Sequence, residues 1–376
     1  MTTAILVVAL AGATYLVLAN VRVAAFLLRP AEYASEFLPS FSILKPIAGL
    51  EPQLYENLRS ACDQNYGAFF EVILCLHDET DAAMSVAQRI ADEFPSIVRI
   101  AVGTTPGIKN PKIANLAKAG AEPRGEIVVI ADSDIGVDRR YLQALAASFG
   151  SERTGSATCL YRGAPSRTIV SRLGAMQIEE GFIPSVLVAL ALGKLRFCLG
   201  ATMAVRRSVL EQIGGLPALG ETIADDHKLG QLVSSHGREI ELSRYVVQTA
   251  VPEATIRALL SHELRWARTN FALAPAGYAF SFLMYALPFA LLYLAVSENL
   301  GVGLPLLAAV LVLRLLLHFL ARAALNVTRP ADVWLIPLRD CMSLAVWFIS
   351  LFGKRVTWRG ASFDTGAPRP GQDEIG

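Results

Sequence analysis

The N-terminal stretch of the chain is almost free of charge. Residues Ala4 to Asn20 carry no charge, and the apolar character continues to Leu28 with only Arg22 interrupting it. About 20 apolar residues in a helix cross the hydrocarbon core of a bilayer. The basic residues Arg22 and Arg29 come within or after the run, whereas a signal peptide has basic residues before it. We therefore predict a retained transmembrane anchor over residues 1–30, with its C-terminal end in the cytoplasm.

Apolar stretches return in the C-terminal third of the chain. They cover Phe271–Ser297, Leu304–Leu320 and Val333–Gly353, and only the first is completely without charge. Overall, 53% of the 376 residues are hydrophobic and 18% are charged, which is more apolar than a soluble core of this size requires. We expect about three transmembrane or interfacial helices over residues 271–360, followed by a flexible, Gly/Pro-rich tail over residues 361–376.

The topology of the C-terminal third stays open at this stage. Strict alternation would place Lys354, Arg355 and Arg359 outside, against the tendency of basic residues to remain in the cytoplasm. One segment is therefore expected to be re-entrant or interfacial. The uncharged stretch Phe182–Gly193 is short for a span, so it is either a core helix or an interfacial helix.

The middle of the chain, residues 31–270, has the composition of a soluble α/β domain. Short β-branched runs such as Glu71–Leu76 and Glu126–Ile130 alternate with helical stretches. This alternation predicts a mostly parallel sheet with helices on its faces. The anchor places this domain in the cytoplasm.

Charge and cysteine content exclude several other classes of protein. The formal net charge is +1, from 34 basic and 33 acidic residues, which provides no basic field for nucleic acid. The five cysteines are an odd number, lie far apart and form no CxxC pair, so we expect buried, reduced thiols and no zinc site or disulfide framework.

Two carboxylates follow directly on a predicted strand. Asp132-Ser133-Asp134 comes after the apolar run Ile127–Ile130, at the strand end where open α/β sheets bind ligands. Such a DxD arrangement can hold a divalent cation that bridges the two phosphates of a nucleotide sugar. The alternative is an exposed turn or the N-cap of a helix.

Three further groups of residues have both a functional and a purely structural interpretation. Asp78 and Asp81 follow the strand Glu71–Leu76 and can also belong to a solvated turn. The pair Asp225-Asp226 can supply a general base or the N-cap of a helix. The stretch His262–Trp266 contains an Arg-Trp pair that can also act as an interfacial anchor.

In chain order, these sites resemble the signature D, DxD, D, (Q/R)xxRW of processive and lipid-directed glycosyltransferases with a GT-A fold. Within that group the chain resembles the ceramide glucosyltransferase family, glycosyltransferase family 21, including its bacterial hopanoid-glycosylating relatives. Position 262 departs from the signature, since it is His in place of Gln or Arg. The segments that carry the likeness are Ser42–Pro46 with Gly49, Cys75–Asp81, Asn110–Leu116, Asp132–Asp134, Gly214–Leu216, Ala224–Asp226, Arg265-Trp266 and Trp358–Gly360.

The resemblance implies a role for each donor-side residue. Asp78 and Asp81 would hold the uracil and ribose of a UDP-sugar. Asp132 and Asp134 would bind the ribose or sugar and a Mg²⁺ or Mn²⁺ ion on the diphosphate. Lys112 would add a second cation near the phosphates.

The same resemblance implies an inverting reaction at the acceptor side. Asp226 would be the general base for a lipid hydroxyl. Arg265 would contact the diphosphate, Trp266 would line the acceptor end of the cleft, and His262 would stand at the donor-binding position of the signature.

The expected enzyme is thus a multi-pass protein of the bacterial inner membrane that transfers a hexose from a UDP-sugar to a lipid. UDP-glucose and ceramide lead, and UDP-N-acetylglucosamine with a hopanoid polyol is the alternative. A processive polysaccharide synthase and a non-catalytic membrane scaffold remain as further possibilities. A soluble nucleotide-sugar site flanked by apolar segments favours a lipid acceptor, because a lipid presents its hydroxyl at headgroup level.

Overall fold

A computed structural model describes most of the chain in two compact units. We call Met1–Leu27, Pro165–Val188 and Val251–Gly376 the helical unit, and Leu28–Ala164 with Ala189–Ala250 the sheet unit. Residues 165–188 and 251–270, which are predicted from the sequence to be part of the α/β domain, group with the apolar helices. The described residues are 1–30, 37–119, 122–352, 355–358 and 361–364.

The sheet unit is built on an eight-stranded mixed sheet in the order β3-β2-β1-β4-β7-β6-β8-β5. Strands β3, β2, β1 and β4 are parallel, β7 is antiparallel to β4 and β6, and β5 is antiparallel to β8. The strands are β1 (Phe41–Ile47), β2 (Phe70–Leu76), β3 (Val98–Val102), β4 (Ile127–Ile130), β5 (Ile135–Gly136), β6 (Thr154–Pro165), β7 (Met203–Arg206) and β8 (Glu239–Val251).

Fourteen α-helices occur among the described residues. They are α1 (Thr2–Leu28), α2 (Leu54–Cys62), α3 (Met84–Glu93), α4 (Pro111–Ala119), α5 (Tyr141–Ser148), α6 (Ile169–Met176), α7 (Ile183–Leu192), α8 (Arg207–Gln212), α9 (Asp225–Ser235), α10 (Ile256–Leu273), α11 (Pro275–Ala279), α12 (Ala286–Val296), α13 (Leu300–Ala324) and α14 (Ile336–Ser350). A π-helical segment, Gln177–Phe182, joins α6 to α7. Short 3₁₀ helices cover Leu216–Leu219, Phe280–Met284 and Val333–Leu335.

The central strands explain the predicted α/β class. Every residue of β1 and of β4 is buried, as expected for parallel strands covered on both faces. Because parallel neighbours end at one edge of the sheet, the loops that follow β1, β2 and β4 lie at the same edge. The mostly parallel sheet predicted from the sequence is therefore present, with an antiparallel extension on one side.

A buried carboxylate ties the first strands together. Glu71, at the start of β2, is 1% exposed and accepts hydrogen bonds from Ser42 Oγ (2.7 Å), Arg124 Nη2 (2.8 Å) and Arg99 Nε (3.0 Å). Burial opposes ionisation, but the hydrogen bonds from Arg124 and Ser42 hold the pKa of Glu71 at about 2. The ionised carboxylate thus links β1, β2 and β3.

The apolar helices indicate a membrane-associated protein. Four helices among the described residues are long and apolar enough to cross a membrane: Thr2–Leu28, Ile169–Leu192, Leu300–Ala324 and Val333–Ser350. The stretch Phe182–Gly193, expected to be too short for a span, is the second half of the 24-residue helix Ile169–Leu192. Its first half was missed because its charged residues interrupt the apolar run.

The predicted segment Phe271–Ser297 is not one straight helix. Pro275–Met284 and Ala286–Val296 are long and apolar enough to cross a membrane only when taken together, and they are bent by 59° at Tyr285. Pro288 lies in the first turn of α12, where the missing N–H group does not weaken that helix. The same proline would interrupt a helix that continued through it from the preceding segment. This geometry fits a broken span or a re-entrant loop, as the charge distribution suggested.

The C-terminal end of the described chain differs from the prediction. Strands β9 (Arg355–Trp358) and β10 (Ala361–Asp364) form an antiparallel pair, so the first four residues of the expected flexible tail are in a strand. Residues 365–376 lie outside the described residues, as do 353–354 and 359–360.

Cys341 is exposed on α14, contrary to expectation; the buried free thiols are those of Cys62, Cys75, Cys159 and Cys198.

Candidate active site

The DxD residues form the loop between β4 and β5. Asp134 is held by β8, because its Oδ2 accepts a hydrogen bond from Thr249 Oγ1 (2.7 Å) and its carbonyl accepts one from the Ala250 N–H (3.2 Å). Ser133 Oγ donates to Glu51 Oε2 (2.6 Å). The loop is therefore fixed from both sides, and neither carboxylate serves as a helix N-cap, which was one of the alternatives.

A buried lysine supports this loop. Lys45, on β1, is 1% exposed, and its Nζ donates to the carbonyl oxygens of Asp132 (2.9 Å) and Ile135 (3.1 Å). Burial lowers the pKa of Lys45 to about 8, and the charges of Asp134 and Asp132 oppose that shift. The ammonium places a positive charge beneath the two carboxylates.

Lys112 links the DxD loop to the acidic pair on α9. Its Nζ lies 2.8 Å from Asp132 Oδ1 and 3.0 Å from Asp225 Oδ2, and the lysine side chain is 10% exposed. Burial disfavours the charged ammonium, but Asp132 and Asp225 raise the pKa of Lys112 well above its usual value. Lys112 is therefore a permanent cation in this cluster.

The position of Lys112 follows from local sequence. Asn110 caps α4, since its Oδ1 accepts from the N–H groups of Lys112 (3.0 Å) and Ile113 (3.3 Å), and Pro111 occupies the first helical position. The Asn110 Nδ2 group also donates to the Thr222 carbonyl oxygen (2.8 Å). The Asn-Pro-Lys sequence thus joins the first turn of α4 to the segment that leads into α9.

The two acidic residues of α9 have different environments. Asp225 is 6% exposed and paired with Lys112, whereas Asp226 forms no ion pair with any described residue. The N-cap of α9 is Ala224, so the proposed N-cap alternative for this pair is wrong. Burial and the charge of Asp225 raise the pKa of Asp226 to about 6.

The carboxyl group of Asp134 is as weak an acid as that of Asp226. Burial and the charge of Asp132 raise its pKa to about 6, although the Thr249 hydrogen bond acts in the other direction. Burial raises the pKa of Tyr161, on β6, well above its usual value, and the negative charges of Asp226, Asp134 and Asp132 raise it further. Asp132, Asp134 and Asp226 therefore form one electrostatic cluster.

Asp78 and Asp81 both have structural partners. Asp78 is in an exposed turn, where its Oδ1 accepts from the N–H (2.8 Å) and Oγ1 (2.5 Å) of Thr80. Asp81 accepts from the N–H of Gly49 (3.0 Å) and of Ala83 (2.8 Å). Gly49 has φ +73°, which favours glycine, so Asp81 holds the turn after β1 against the segment before α3. Their predicted role in uridine binding stays a prediction.

His262, Arg265 and Trp266 lie on α10, in the helical unit. His262 Nδ1 is 2.5 Å from Glu253 Oε1, and the His262 and Trp266 rings meet edge to face with centroids 4.5 Å apart. Burial opposes ionisation of Glu253, but His262 and, more weakly, Arg265 lower its pKa. The structure therefore brings His262 and Trp266 into contact on one helix, which also carries Arg265, and the predicted catalytic and donor-binding roles of these residues stay predictions.

The chemistry of the DxD loop fits a hard divalent cation. No three His, Cys, Asp or Glu side chains of the described ranges come together as a metal site. However, Mg²⁺ is commonly bound by one or two carboxylates and completed by substrate phosphates and water. Asp132 and Asp134 supply such oxygens, and burial together with the charge of Asp132 raises the pKa of Asp134, so a cation bound between the two carboxylates would relieve their repulsion. These two residues would hold a cation together with a diphosphate.

Sequence reasoning missed three contributors to the site. Lys45 had a signal, because a lysine within the buried strand sequence FSILKPI needs acidic or carbonyl partners. Thr249 and Tyr161 had none, since they reach the acidic cluster from distant strands. Only the sheet order brings them together.

Comparison with solved structures places the sheet unit and its helices in a known class. A mannosyltransferase from Pyrobaculum calidifontis, solved with GDP-Man and Mn²⁺, matches 93% of this chain and 98% of its own with a TM-score of 0.53 and 17% identity. At this identity the likeness concerns the fold. With the mixed sheet and the acidic strand ends described above, it defines the chain as a protein of the GT-A glycosyltransferase fold.

Sequence comparison adds the family. The model of glycosyl transferase family 21 matches residues 1–368, so the chain belongs to that family. Ceramide glucosyltransferase 1 of Caenorhabditis elegans is 26% identical over 240 residues, which are 63% of this chain and 51% of that protein. A ceramide glucosyltransferase of Gibberella zeae is 33% identical over 134 residues, 33% of this chain and 25% of that protein. The chain thus spans about half, or less, of these relatives.

Proposed function

We propose that the protein transfers a hexose from a UDP-sugar to a hydroxyl group of a membrane lipid. The observation that carries the proposal is the carboxylate of Asp226. It has a pKa raised to about 6, and it stands in one cluster with the DxD carboxylates and Lys112. A general base works best when its pKa is near the working pH, and an ordinary surface carboxylate is too weak a base.

The proposed reaction is a single displacement with inversion. Asp226 takes the proton from the lipid hydroxyl while that oxygen attacks the anomeric carbon and UDP leaves. Lys112 offers positive charge to the departing diphosphate and stays protonated throughout. When bound by Asp132 and Asp134, a Mg²⁺ or Mn²⁺ ion would neutralise charge on the same diphosphate.

The remaining roles rest on the family resemblance. Asp78 and Asp81 are proposed to bind the uridine. Arg265 is proposed to contact the diphosphate, Trp266 to line the acceptor end, and His262 to contribute to donor binding.

UDP-glucose and ceramide are the proposed substrates. The named relatives are ceramide glucosyltransferases, and the apolar helices suit a lipid acceptor. UDP-N-acetylglucosamine with a hopanoid polyol is the second candidate pair. We place the protein in the bacterial inner membrane with the sheet unit in the cytoplasm, because Arg22 and Arg29 follow the N-terminal apolar run.

The test is an activity assay of the purified, detergent-solubilised chain with Mg²⁺ or Mn²⁺. Each UDP-sugar is combined with each lipid, products are identified by mass, and an Asp226→Asn variant is the control. One added hexose on ceramide supports the proposal, and an amino sugar on the hopanoid polyol supports the second pair. A long glycan would show a processive synthase, and no transfer to any lipid would contradict a lipid acceptor.

A further inference from the structure

A small polar cavity lies inside the helical unit. Its volume is about 20 Å³, enough for one water molecule or one hydroxyl group. Polar side chains line it from four helical segments, among them Tyr15, Glu180, Arg314, Arg339 and Asp340, and Tyr285 lines it from the break between two helices. The four helical segments belong to helices apolar enough to cross a membrane, where ionisable side chains are costly and usually functional.

The charges around this cavity form a connected set. Arg314 donates through Nε and Nη2 to Asp340 (both 3.0 Å) and through Nη1 to Glu180 (2.8 Å). The second oxygen of Glu180 lies 2.9 Å from His318 Nδ1. Arg314, Asp340 and Glu180 are each less than a tenth exposed. One guanidinium is thus shared by two carboxylates. The second guanidinium of the lining, Arg339, is paired with Glu263 (2.7 and 2.8 Å), so neither cation is left to bind an anion such as phosphate.

The backbone is irregular at two places beside the same cavity. Glu180 lies in the π-helical segment Gln177–Phe182, and Tyr285 marks the 59° break between two apolar helices. At membrane depth such irregular backbone is tolerated where it is buried in protein or lines a polar cavity. π-Helical turns also recur at functional sites. Two unrelated irregular segments therefore converge on one small polar space.

One side chain at the cavity lacks a partner. The hydroxyl oxygen of Tyr15 is inaccessible to solvent and makes no hydrogen bond within the described part of the chain. A buried hydroxyl without a partner destabilises the fold, so binding of a group that satisfies the Tyr15 hydroxyl is favoured. A hydroxyl group is such a ligand, because it can accept from one neighbour and donate to another.

We propose that this cavity binds one hydroxyl group of a membrane lipid, held by Tyr15 and the Arg314–Asp340 pair. That this lipid is the sugar acceptor rests on the proposed function. The lipid hydroxyl would donate to a carboxylate oxygen and accept from the Tyr15 hydroxyl or the guanidinium. A neutral hydroxyl fits the lining better than a phosphate, since Arg314 and Arg339 are both already paired with carboxylates and the cavity has room for one hydroxyl group only.

The test uses Tyr15→Phe, which removes only the unpartnered hydroxyl and leaves the ion pairs intact. The matched control is Tyr278→Phe, because the Tyr278 hydroxyl hydrogen-bonds Ser350 Oγ (2.8 Å) in the same unit, away from the cavity lining. Both variants and the wild type are purified as full chains in detergent. Calorimetry then gives the Kd for ceramide and, separately, for a hopanoid polyol, and a thermal scan gives the unfolding temperature.

We expect Tyr15→Phe to raise the Kd of the lipid that binds by about 5–10-fold, the value of one hydrogen bond. Its unfolding temperature without lipid should not fall. Tyr278→Phe should lower the unfolding temperature and leave the Kd unchanged. An unchanged Kd in Tyr15→Phe, an equal change in both variants, or no saturable binding of either lipid by the wild type would overturn the inference.

The two proposals fail in different ways. Lipid binding that depends on Tyr15 without any sugar transfer would keep the binding site and remove the proposed reaction. Sugar transfer with the same lipid KM in wild type and Tyr15→Phe would keep the reaction and remove this site.

Discussion

Lys112 and Asp132 form an ion pair of 2.8 Å between the first turn of α4 and the loop after β4. The same ammonium reaches Asp225, so one lysine joins the DxD loop to the helix that carries the proposed base. Burial and the charge of Asp225 raise the pKa of Asp226, and the charge of Lys112 opposes that rise. This arrangement makes the protonation of the proposed base depend on a residue that belongs to a different part of the sequence.

The Lys112 contact predicts a shifted pH profile. In Lys112→Gln, the loss of the cation should raise the pKa of Asp226 further, and the acid limb of the kcat profile should move up by about one pH unit. Lys109→Gln is the matched control, because Lys109 pairs with Glu221 and both side chains are 67% exposed. An acid limb that stays in place in Lys112→Gln would show that Lys112 does not act on the base.

The raised pKa of Asp226 predicts both a mutational and a pH effect. Asp226→Asn keeps the shape of the side chain but removes the base, so transfer should fall by about 10²–10⁴-fold while UDP-sugar binding is retained. In the wild type, activity should rise with pH through about 6, because the base works only when deprotonated. Steady-state kinetics and donor titration measure both effects. Near wild-type transfer by Asp226→Asn would rule out this base, and Asp92→Asn, an exposed carboxylate on α3, should change nothing.

The ionised carboxylate of Asp134 should lower the stability of the metal-free protein and contribute to metal binding. Its folded pKa of about 6 lies above the usual 3.8, so ionisation destabilises the metal-free protein as pH rises from about 4 to 6. At pH 7 with a chelator, Asp134→Asn should therefore be more stable, by on the order of 1–2 kcal/mol. It should also lose stabilisation by Mn²⁺ and UDP-sugar.

Unfolding scans with chelator and with Mn²⁺ test this prediction. Asp138→Asn is the control of opposite sign, since hydrogen bonds from Arg140 lower the pKa of Asp138 despite its burial. That variant should be less stable and should keep its response to metal. Equal stabilisation by Mn²⁺ in Asp134→Asn and the wild type would place the ion elsewhere.

Glu71 should contribute to stability and not to chemistry. Glu71→Gln leaves the guanidinium groups of Arg99 and Arg124 without their buried anion, and we expect a loss of about 2–3 kcal/mol. The folded pKa of about 2 lies below the usual 4.5, so this contribution is complete above pH 4.5 and is lost as pH falls through about 2. Unfolding scans against pH measure it. Glu126→Gln, at an exposed carboxylate bound to Ser40, should cost far less, and equal losses would contradict the assignment.

Local sequence was enough for the N-terminal helix, the buried strands and the strand-end carboxylates. The apolar run of α1, the strand β4 and the Asn110 cap of α4 each depend on neighbouring residues, so their pattern is visible in one dimension. The span Ile169–Leu192 could not be predicted from neighbouring residues alone. Its charged residues Glu179 and Glu180 look like a break, but they are buried against Arg329 and Arg314.

The sequence by itself determined the α/β class, the apolar helices, the order of the acidic motifs and the family they resemble. Only the tertiary structure decided that Lys112 is shared by Asp132 and Asp225, that Asp226 is left without an ion pair among the described residues, and that Thr249 holds Asp134. The physical reason is that hydrophobic periodicity and capping are local, whereas a pKa and an ion pair depend on distances between residues far apart in the chain. Those distances exist only once the strands have paired and the helices have packed.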